Sequence, residues 1–483
     1  MELNKSFLLY TFLSNGESES GKRIGDAKRR RAYFQQFISF LSGYILMMDV
    51  GSSMVWPSPA LPYLTSENST IPISNAQGAL LAASMNISAI IALLLCPLVV
   101  DRIGIKYTIQ VIGLLQLLSK ILLYIADNYI FLLVTRLLTG IGWIAMYAFF
   151  PLYMGEIAAE NVRGRFLIFD KICVNLGSFL MSIAGAFLAY NTMNLVMISI
   201  PLIAILLFPL MEETPYFHLI KGREEEAAKT LMRLSADNGV KNVKANIERM
   251  KNAILKGQIS KQTSIRELFS DRASRRALII KTIAETTYIF SGYHAVQAYA
   301  QEIFSYSGSN LAPGYSVMIM TGIQIFAGLP SSQIVDRWGR RPTFLLSGVS
   351  SALSLAIVGL FFFLKIFLQV DVSSIAWLPL AGLISFTFSC NMGLSTVPYV
   401  YKGELFSVKV KNVATTFSTI IASALGFTTH ILFALLHERI GIYSSFWIFG
   451  LVCFVGSVTV FCIAPETKGK NLEEILELLS KKN

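Results

Sequence analysis

Long apolar stretches recur along the whole chain, and shorter polar segments separate them. A stretch of about 20 apolar residues is long enough to cross the hydrocarbon core of a bilayer as an α-helix. The pattern predicts an all-α membrane protein with twelve transmembrane helices, over residues 34–56, 77–100, 107–126, 129–151, 166–190, 194–211, 278–303, 314–334, 342–368, 374–400, 413–437 and 442–464.

A longer polar segment divides the predicted helices into two sets of six. The first set occupies residues 34–211 and the second occupies residues 278–464, with a linker over 212–277 and tails over 1–33 and 465–483. Residues 223–236 and 242–256 of the linker favour short amphipathic helices. The even number of crossings places both tails on the same side of the membrane.

Short polar motifs recur at matching places in the two sets of helices. Each follows the second, fourth or sixth helix of its set, and the matched segments are 101–104 and 336–339, 156–163 and 404–411, and 213–214 and 466–467. This recurrence indicates a duplicated six-helix unit. Two six-helix halves related by an axis along the membrane normal, with the solute site between them at the midplane, form the major facilitator architecture.

Composition and charge narrow the class of protein. Apolar residues make up 54% of the chain and charged residues only 15%, against about 25% charged residues in an average soluble protein. A soluble enzyme, a secreted disulfide scaffold and a disordered chain are therefore excluded. The net charge of +11 reflects basic clusters within residues 22–31 and 221–281. Because basic residues concentrate on the cytoplasmic side, we expect a multi-pass cell-membrane protein with both termini in the cytoplasm and without a nucleic-acid partner.

Several motifs resemble those of the sugar porter branch of the major facilitator superfamily, and together they cover nearly the whole chain. They are Arg136-x-x-x-Gly140, Pro151-x-Tyr153-x-x-Glu156, Ser291-Gly292 with Tyr299, Asp336-Arg337-x-Gly339-Arg340-Arg341, and Glu404-Leu405-Phe406. Ser58-Pro59-Ala60-Leu61 and the Pro-Glu-Thr-Lys-Gly segment at 465–469 are most similar to its facilitated trehalose transporter-like group. The resemblance implies facilitative, alternating-access transport of a hexose or a trehalose-like disaccharide, without a cofactor, a metal site or an enzymatic activity.

The resemblance also implies substrate-binding positions, and several of them differ from the family pattern. Sugar porters carry amides where this chain has Tyr288, Ile289, His294 and Lys171, whereas Gln324 keeps its amide. A buried polar group left unpaired costs about 1–3 kcal/mol, so these changes should alter sugar recognition. The predicted substrate-binding residues are Asp49, Lys171, Ser291, Gly292, His294, Tyr299, Gln324, Thr396, Pro398 and Tyr399. We expect a helix broken at Pro398 to expose backbone at the solute cavity beside Tyr399.

Three of these residues have open alternatives. Asp49 lies about 22 Å into its helix, counted from residue 34 at about 1.5 Å per residue, and a carboxylate at that depth is a functional candidate. Proton-coupled sugar porters carry an Asp that aligns one turn later, at Ser53, so Asp49 is either a coupling residue or a structural one. Lys171 either binds solute or extends to the inner surface, and His294 either contacts solute or only packs.

Charged residues at the inner ends of the helices form the second predicted site. In the resembled family such charges latch the two halves together in the outward-open state, although positive-inside topology alone also places charges there. The predicted cytoplasmic gate comprises Asp101, Arg102, Glu156, Arg163, Asp336, Arg337, Arg340, Arg341, Glu404 and Lys411. Ile105 replaces the Arg expected after Gly104, which predicts a weaker latch in the first half.

The remaining features concern modification, partners and rival functions. Asn68-Ser69-Thr70 is a glycosylation sequon in the longest outer loop, so Asn68 is a predicted glycosylation site. The five cysteines lie in apolar stretches without CxxC spacing, which predicts no metal site. The expected partners are a small-molecule solute and membrane lipids, with the chain as a monomer. A proton-coupled or non-sugar porter and a transport-deficient membrane sensor are the rival functions.

Overall fold

The computed structural model describes residues 30–234, 240–260, 268–407 and 410–480, and these residues form α-helices joined by short turns. The first half contains span 1 (Arg30–Leu64, with a turn at Trp56), span 2 (Asn75–Ile103), span 3 (Ile105–Tyr124), span 4 (Tyr129–Ile157), span 5 (Glu160–Phe187) and span 6 (Tyr190–Met197 and Ser199–Leu206). Span 1 is longer at both ends than the predicted 34–56.

The second half repeats this arrangement with more interruptions. It contains span 7 (Arg272–Ile289, Tyr293–Ala298 and Ala300–Ser307), span 8 (Pro313–Trp338), span 9 (Arg340–Phe362, continued by a π-helical turn over Phe363–Phe367), span 10 (Leu378–Met392 and Thr396–Glu404), span 11 (Lys411–Arg439) and span 12 (Ile442–Ile463). Helices occupy all twelve stretches that the sequence predicted.

By length and composition, ten helices in the described part of the chain are apolar enough to cross a membrane, and they are spans 1–6 and 9–12. Large apolar side chains cover the outside of the bundle: Phe326 and Leu206 are each 69% exposed. A soluble monomer rarely exposes a continuous apolar surface of this kind, whereas a bilayer covers it. The interior instead holds buried polar residues, among them Asp49, Lys120 and Gln324.

Short polar side chains fix the starts of several spans. At the start of span 2, the Ser74 hydroxyl accepts the N–H of Gln77 while the Gln77 side chain accepts the N–H of Ser74. Asn128 caps span 4 by accepting the N–H of Phe131 at 2.9 Å. Such caps satisfy backbone donors that the first helical turn leaves unpaired.

We call the side of the molecule that carries residues 30 and 480 the terminal side. The linker helices Pro215–Ile220, Glu224–Leu234 and Val240–Ser260 follow span 6 there, close to the linker helices that the sequence predicted. Gln36 ties span 1 to the linker by donating to the carbonyl of Leu234 at 2.7 Å. A last helix, Leu472–Ser480, packs against the start of span 7.

Candidate functional site: a polar network between the two halves

The two halves meet where span 2 packs against span 11 and where span 5 packs against span 8. Within the described residues, polar pairs join the halves near mid-span and towards the side opposite the terminal side. Hydrogen bonds join Gln301 N–H to the Ser58 hydroxyl (3.0 Å), Thr321 to Ser182 (3.1 Å) and the Asn175 amide to the Gln324 carbonyl (3.0 Å), and Lys171 Nζ lies 3.5 Å from Thr396 Oγ1.

Amide side chains form a connected network in the middle of this interface. Gln297 Nε2 donates to Gln324 Oε1 at 3.0 Å and lies 3.3 Å from the Tyr293 hydroxyl. Asn391 Nδ2 donates to the same hydroxyl at 3.2 Å. With Asn175, the network links spans 5, 7, 8 and 10. Gln324 Nε2 is buried and has no partner among the described residues, so it is available to donate to a solute.

The network contains some of the predicted substrate-binding residues and several that the sequence analysis missed. Gln324 lies inside it, and Thr396 joins it by donating to the Asn391 carbonyl at 2.8 Å. Gln297, Asn391 and Asn175 were not predicted. Each is an amide within an apolar stretch, where a polar side chain needs a partner or a function. The energetic cost of burying an unpaired amide in such a stretch was the sequence signal that could have identified these three residues.

The predicted Ser291-Gly292 pair marks the first interruption of span 7. Gly292 has φ +78°, a left-handed conformation that side chains other than hydrogen strongly disfavour. A Cβ atom there would also lie 2.1 Å from the Phe449 ring. The Ser291 hydroxyl donates to the Tyr288 carbonyl at 2.6 Å, within the same interruption. These two residues therefore shape the helix beside the network.

Tyr299 marks the second interruption of span 7. Its ring is buried and stacks on Phe433 of span 11 at 4.8 Å between centroids. Its hydroxyl is buried and has no hydrogen-bond partner in the described part of the chain. Tyr299 thus packs within the second half, away from the hydrogen bonds of the amide network.

Span 10 is also interrupted, but not at the residue that the sequence predicted. The turn covers residues 393–395, and Pro398 lies in the first turn of the following helix, Thr396–Glu404. Proline is tolerated there because the first turn leaves its backbone N–H groups unpaired in any case. Span 10 is therefore broken beside Pro398 as expected, although the turn lies three to five residues before the proline rather than at it. Tyr399, the next residue, is 52% exposed.

His294 lies beside a second feature of the interface, a cavity of about 30 Å³. Residues from both halves line it, including Asn86 and Arg136 from the first half and His430 from the second. Room for only a few atoms remains there, which is enough for one or two water molecules but not for a sugar. His294 also contacts Tyr288 and Tyr293 by its ring.

Asp49 lies within the first half and is paired with a residue that the sequence analysis overlooked. Lys120 of span 3 lies 3.3 Å from Asp49 Oδ1, and both side chains are almost fully buried. Lys120 also donates to the hydroxyls of Ser52 and Ser53, at 3.3 and 2.9 Å. Arg136 donates to the Ser53 carbonyl at 3.0 Å. Asp49 is thus part of a buried ion pair with Lys120.

On the terminal side, the predicted gate residues of the second half form a connected charge cluster. Glu404 accepts two hydrogen bonds from the Arg340 guanidinium, at 2.7 and 3.2 Å, in the bidentate geometry that favours Arg–carboxylate pairs. Arg340 also lies 3.2 Å from Asp336. Thr467 donates to Glu404 at 2.6 Å. The three charged residues belong to the second half and Thr467 to the tail that follows it, so this cluster braces that half internally.

The repeated Glu-Thr motifs have a shared structural role. Glu466 accepts the backbone N–H groups of Arg340 and Arg341, at 3.0 and 3.1 Å, at the start of span 9. Glu213 accepts the N–H of Lys106 at the start of span 3 in the same way, at 3.4 Å. Each helix start favours a carboxylate because its N–H groups are unpaired and its dipole is positive.

The glycines of the repeated Asp-Arg-x-Gly motifs make this arrangement possible. Gly104 and Gly339 have φ +88° and +93°. A Cβ at either position would lie 2.9 Å or less from the capping carboxylate of Glu213 or Glu466. The motif therefore turns the chain between two spans and leaves space for the carboxylate.

The other predicted gate residues are less connected. Glu156 Oε2 is buried and unpartnered among the described residues, while Arg163 lies 3.5 Å from the carbonyl of Ala158. Arg102 and Arg337 are exposed, and Lys411 is half-buried. Arg341 donates through its guanidinium to the carbonyl of Phe461. The side chain of Asp101 lies outside the described residues.

Twelve spans in two repeated halves, with a polar network buried between them, define a multi-pass membrane protein of the transporter class. Residues 32–479 match the family model described as sugar (and other) transporter. The match covers most of the chain, and the protein belongs to that family.

Curated relatives extend the comparison. The chain is 27% identical to the facilitated trehalose transporter Tret1 of Culex quinquefasciatus, over 92% of this chain and 85% of the relative. It is 28% identical to the facilitated trehalose transporter Tret1-2 homolog of Drosophila simulans, over 92% of this chain and 90% of the relative. Tret1 of Aedes aegypti is longer, and the chain spans 54% of its length at 27% identity.

Solved structures share the fold at lower identity. The inward open conformation of the xylose transporter XylE from E. coli matches with a TM-score of 0.77 and 17% identity, over 92% of this chain and 99% of that one. Its partially occluded inward open conformation matches with a TM-score of 0.74 and 17% identity, over 90% and 99%. At this identity the similarity shows the fold alone.

Proposed function

We propose that the protein carries a small polar solute, a sugar, across the cell membrane by facilitated, alternating-access transport. The observation that carries this proposal is the amide network of Asn175, Gln297, Gln324 and Asn391, because planar amides pair with both donor and acceptor faces of sugar hydroxyls. Gln324 keeps an amide position of the family, whereas the other three amides lie at positions that the resemblance did not indicate, and they offset the amides that the sequence lacks. The facilitated transport named for the trehalose transporter relatives agrees with the proposal.

The charge distribution supports an orientation with the terminal side in the cytoplasm. In that orientation the polar pairs that join the halves lie at mid-span and towards the outside. Because the halves are held together on the outer side, the conformation is an inward-facing one. The cluster of Asp336, Arg340 and Glu404 then lies at the cytoplasmic gate. It stabilises the inner end of span 10, which must move relative to the first half when the gate closes.

Asn68 supports the same orientation. It lies in the loop between span 1 and span 2, opposite the terminal side, and its side chain is exposed. We propose that this residue is glycosylated, which the enzyme PNGase F tests directly. A mobility shift that Asn68→Gln abolishes supports an extracellular loop, and a shift that persists in the variant places the glycan elsewhere.

The transport proposal is tested by counterflow in proteoliposomes that contain the purified protein. Vesicles preloaded with unlabelled D-glucose or trehalose should transiently accumulate the same labelled sugar. Gln324→Ala should reduce the rate strongly because it removes the centre of the network, whereas Thr428→Ala, an exposed position on span 11, should not. Absence of counterflow for every sugar tested would support the transport-deficient sensor instead.

A proton-coupled or non-sugar porter is the second candidate, and Lys171 is the observation that favours it. A cation next to the amide network is unusual for a neutral solute, and Lys171 has no carboxylate within 4.0 Å among the described residues. Counterflow with and without a pH gradient separates the candidates. Accumulation driven by the gradient would replace the facilitated mechanism.

A further inference from the structure

Arg136 of span 4 is a buried cation to which the described residues bring no carboxylate in contact. It is 2% exposed. Its Nη1 atom donates to the Ser53 carbonyl at 3.0 Å and its Nε atom to the Leu81 carbonyl at 3.5 Å, while Nη2 makes no hydrogen bond in the described part of the chain. The carboxylate of the same cluster, Asp49, is paired with Lys120. Because a buried charge is costly unless it is paired, Arg136 favours a negative partner from another source.

Arg136 lines the small cavity between the two halves, which has a volume of about 30 Å³. Asn86 of span 2 and Trp143 of span 4 line it from the first half, and His294 of span 7 and His430 of span 11 line it from the second. No carboxylate occurs among the described residues that line it. The volume is close to the share of one molecule in liquid water, and a chloride ion is only slightly larger than a water molecule. The cavity therefore has space for one small ion.

The side chains around this cavity offer more hydrogen-bond donors than acceptors. Besides Nη2 of Arg136, the Trp143 Nε1–H group, which can only donate, is buried without a partner. His294 contacts tyrosine rings, and its N–H group has no acceptor among the described residues. The side-chain acceptors of the lining are limited to Asn86 and His430. A water molecule brings as many donors as acceptors, whereas a halide ion only accepts. This set of side chains therefore favours an anion.

We propose that the cavity binds one small monovalent anion, such as chloride, between the two halves. The anion neutralises Arg136 of the first half and accepts a hydrogen bond from His294 of the second. This inference does not depend on which solute the protein carries. It assigns to Arg136 a mobile counter-ion in place of a carboxylate of the chain.

The position of the cavity gives the anion a role in the conformational equilibrium. Arg136 lies seven residues after the start of span 4, and His430 lies nine residues before the end of span 11. Both of these helix ends are on the side opposite the terminal side. A ligand held by residues of both halves binds more tightly when the halves are in contact, so it shifts the equilibrium towards that conformation. The anion should therefore stabilise the conformation in which the halves are joined on this side.

The test measures the melting temperature of the purified full-length protein while sodium chloride replaces sodium gluconate at constant ionic strength. Gluconate is too large for the cavity and serves as the reference anion. Chloride should raise the melting temperature of the wild type by about 1–3 °C in a saturable manner, because it binds the folded protein only. Bromide should have the same effect. Arg136→Gln should abolish the shift, since it removes the charge that the anion neutralises.

Asn86→Asp tests the same site without removing the arginine. The substitution places a carboxylate in the cavity and hardly changes the size of the side chain. The variant should melt at a higher temperature than the wild type in gluconate, and it should no longer respond to chloride. Asn191→Asp makes the same chemical change at an exposed position of span 6 and should keep the wild-type response to chloride.

Three outcomes overturn the inference. The first is a wild-type protein with equal melting temperatures in chloride and gluconate, and the second is an Asn86→Asp variant that responds to chloride as the wild type does. The third is a shift that grows without saturation and equally in every variant, which is a general effect of salt. If Arg136→Gln does not fold, Asn86→Asp decides the question. None of these measurements involves sugar, so failure of the anion site leaves the transport proposal untouched.

Discussion

Asp49 and Lys120 form a buried ion pair in the interior of the first half. Arg136 is also buried nearby, over the ring of Trp56 at 5.0 Å, and it donates to backbone carbonyls rather than to a carboxylate. The cluster therefore contains one carboxylate and two cations. Loss of Asp49 would leave the Lys120 ammonium group without a negative charge in contact.

We expect Asp49→Asn to lower the stability of the protein by about 3–5 kcal/mol, because breaking a buried pair leaves an uncompensated charge. Asp49→Asn combined with Lys120→Met should recover most of this loss, since replacing both partners removes the unpaired ammonium group. Thermal denaturation of the purified single and double variants measures both effects. A double variant no more stable than Asp49→Asn would show that the pair does not carry the stability.

The carboxyl group of Glu466, on the terminal side, makes a pH-dependent contribution to the stability of the folded protein. Burial raises the pKa of its carboxyl group, but the backbone N–H groups of Lys468, Arg340 and Arg341 outweigh burial and lower the pKa below its ordinary value of 4.5. A lowered folded-state pKa stabilises the folded protein above the unfolded pKa, and that stabilisation is lost as the pH falls.

Glu466→Gln should therefore reduce the melting temperature at pH 7, and its difference from wild type should shrink below about pH 4.5. Glu213→Gln is the matched change in the first half. Burial raises the pKa of Glu213 despite its bonds to Thr214 and Lys106, so removing its charge should cost less at pH 7. Equal losses in both variants at pH 7 would contradict this account.

At the scale of the helix, span 7 depends on the left-handed turn at Gly292. We expect Gly292→Ala to lower the melting temperature and the counterflow rate, because a Cβ would strain the backbone by about 1–3 kcal/mol and would also collide with Phe449. Gly403→Ala on span 10 is the control, since a Cβ there meets nothing within 4 Å. A Gly292→Ala variant as stable and active as Gly403→Ala would argue against a required turn.

The sequence predicted the helices better than it predicted their contacts. Apolar length is a property of one segment, so the residue pattern alone was enough to recognise the twelve spans and the duplicated motifs. Pairing across helices depends on the rotation and tilt of two segments, and a one-dimensional pattern does not contain these. Lys120 was overlooked for this reason, although a lysine within span 3 needed a partner. Pro398 likewise predicted a break in span 10 but not the position of its turn, at residues 393–395.

For the whole molecule, the arrangement of interface contacts indicates which motion transport requires. Ser58 and Gln301 join the halves on the side opposite the termini, and Ser182 and Thr321 join them in the part of spans 5 and 8 nearest that side. Alternating access requires the halves to separate there while they approach on the terminal side. A covalent bond across this part of the interface should therefore stop the cycle without disturbing either half.

We expect the double variant Ser182→Cys and Thr321→Cys to form a disulfide under mild oxidation, because the wild-type hydroxyl oxygens lie only 3.1 Å apart. The cross-link should abolish counterflow, since spans 5 and 8 can no longer separate, and dithiothreitol should restore it. Each single cysteine variant, treated in the same way, should keep its activity. A cross-linked protein that still exchanges sugar would show that the halves need not part at this level, and the rigid-body mechanism would have to be replaced by local gating.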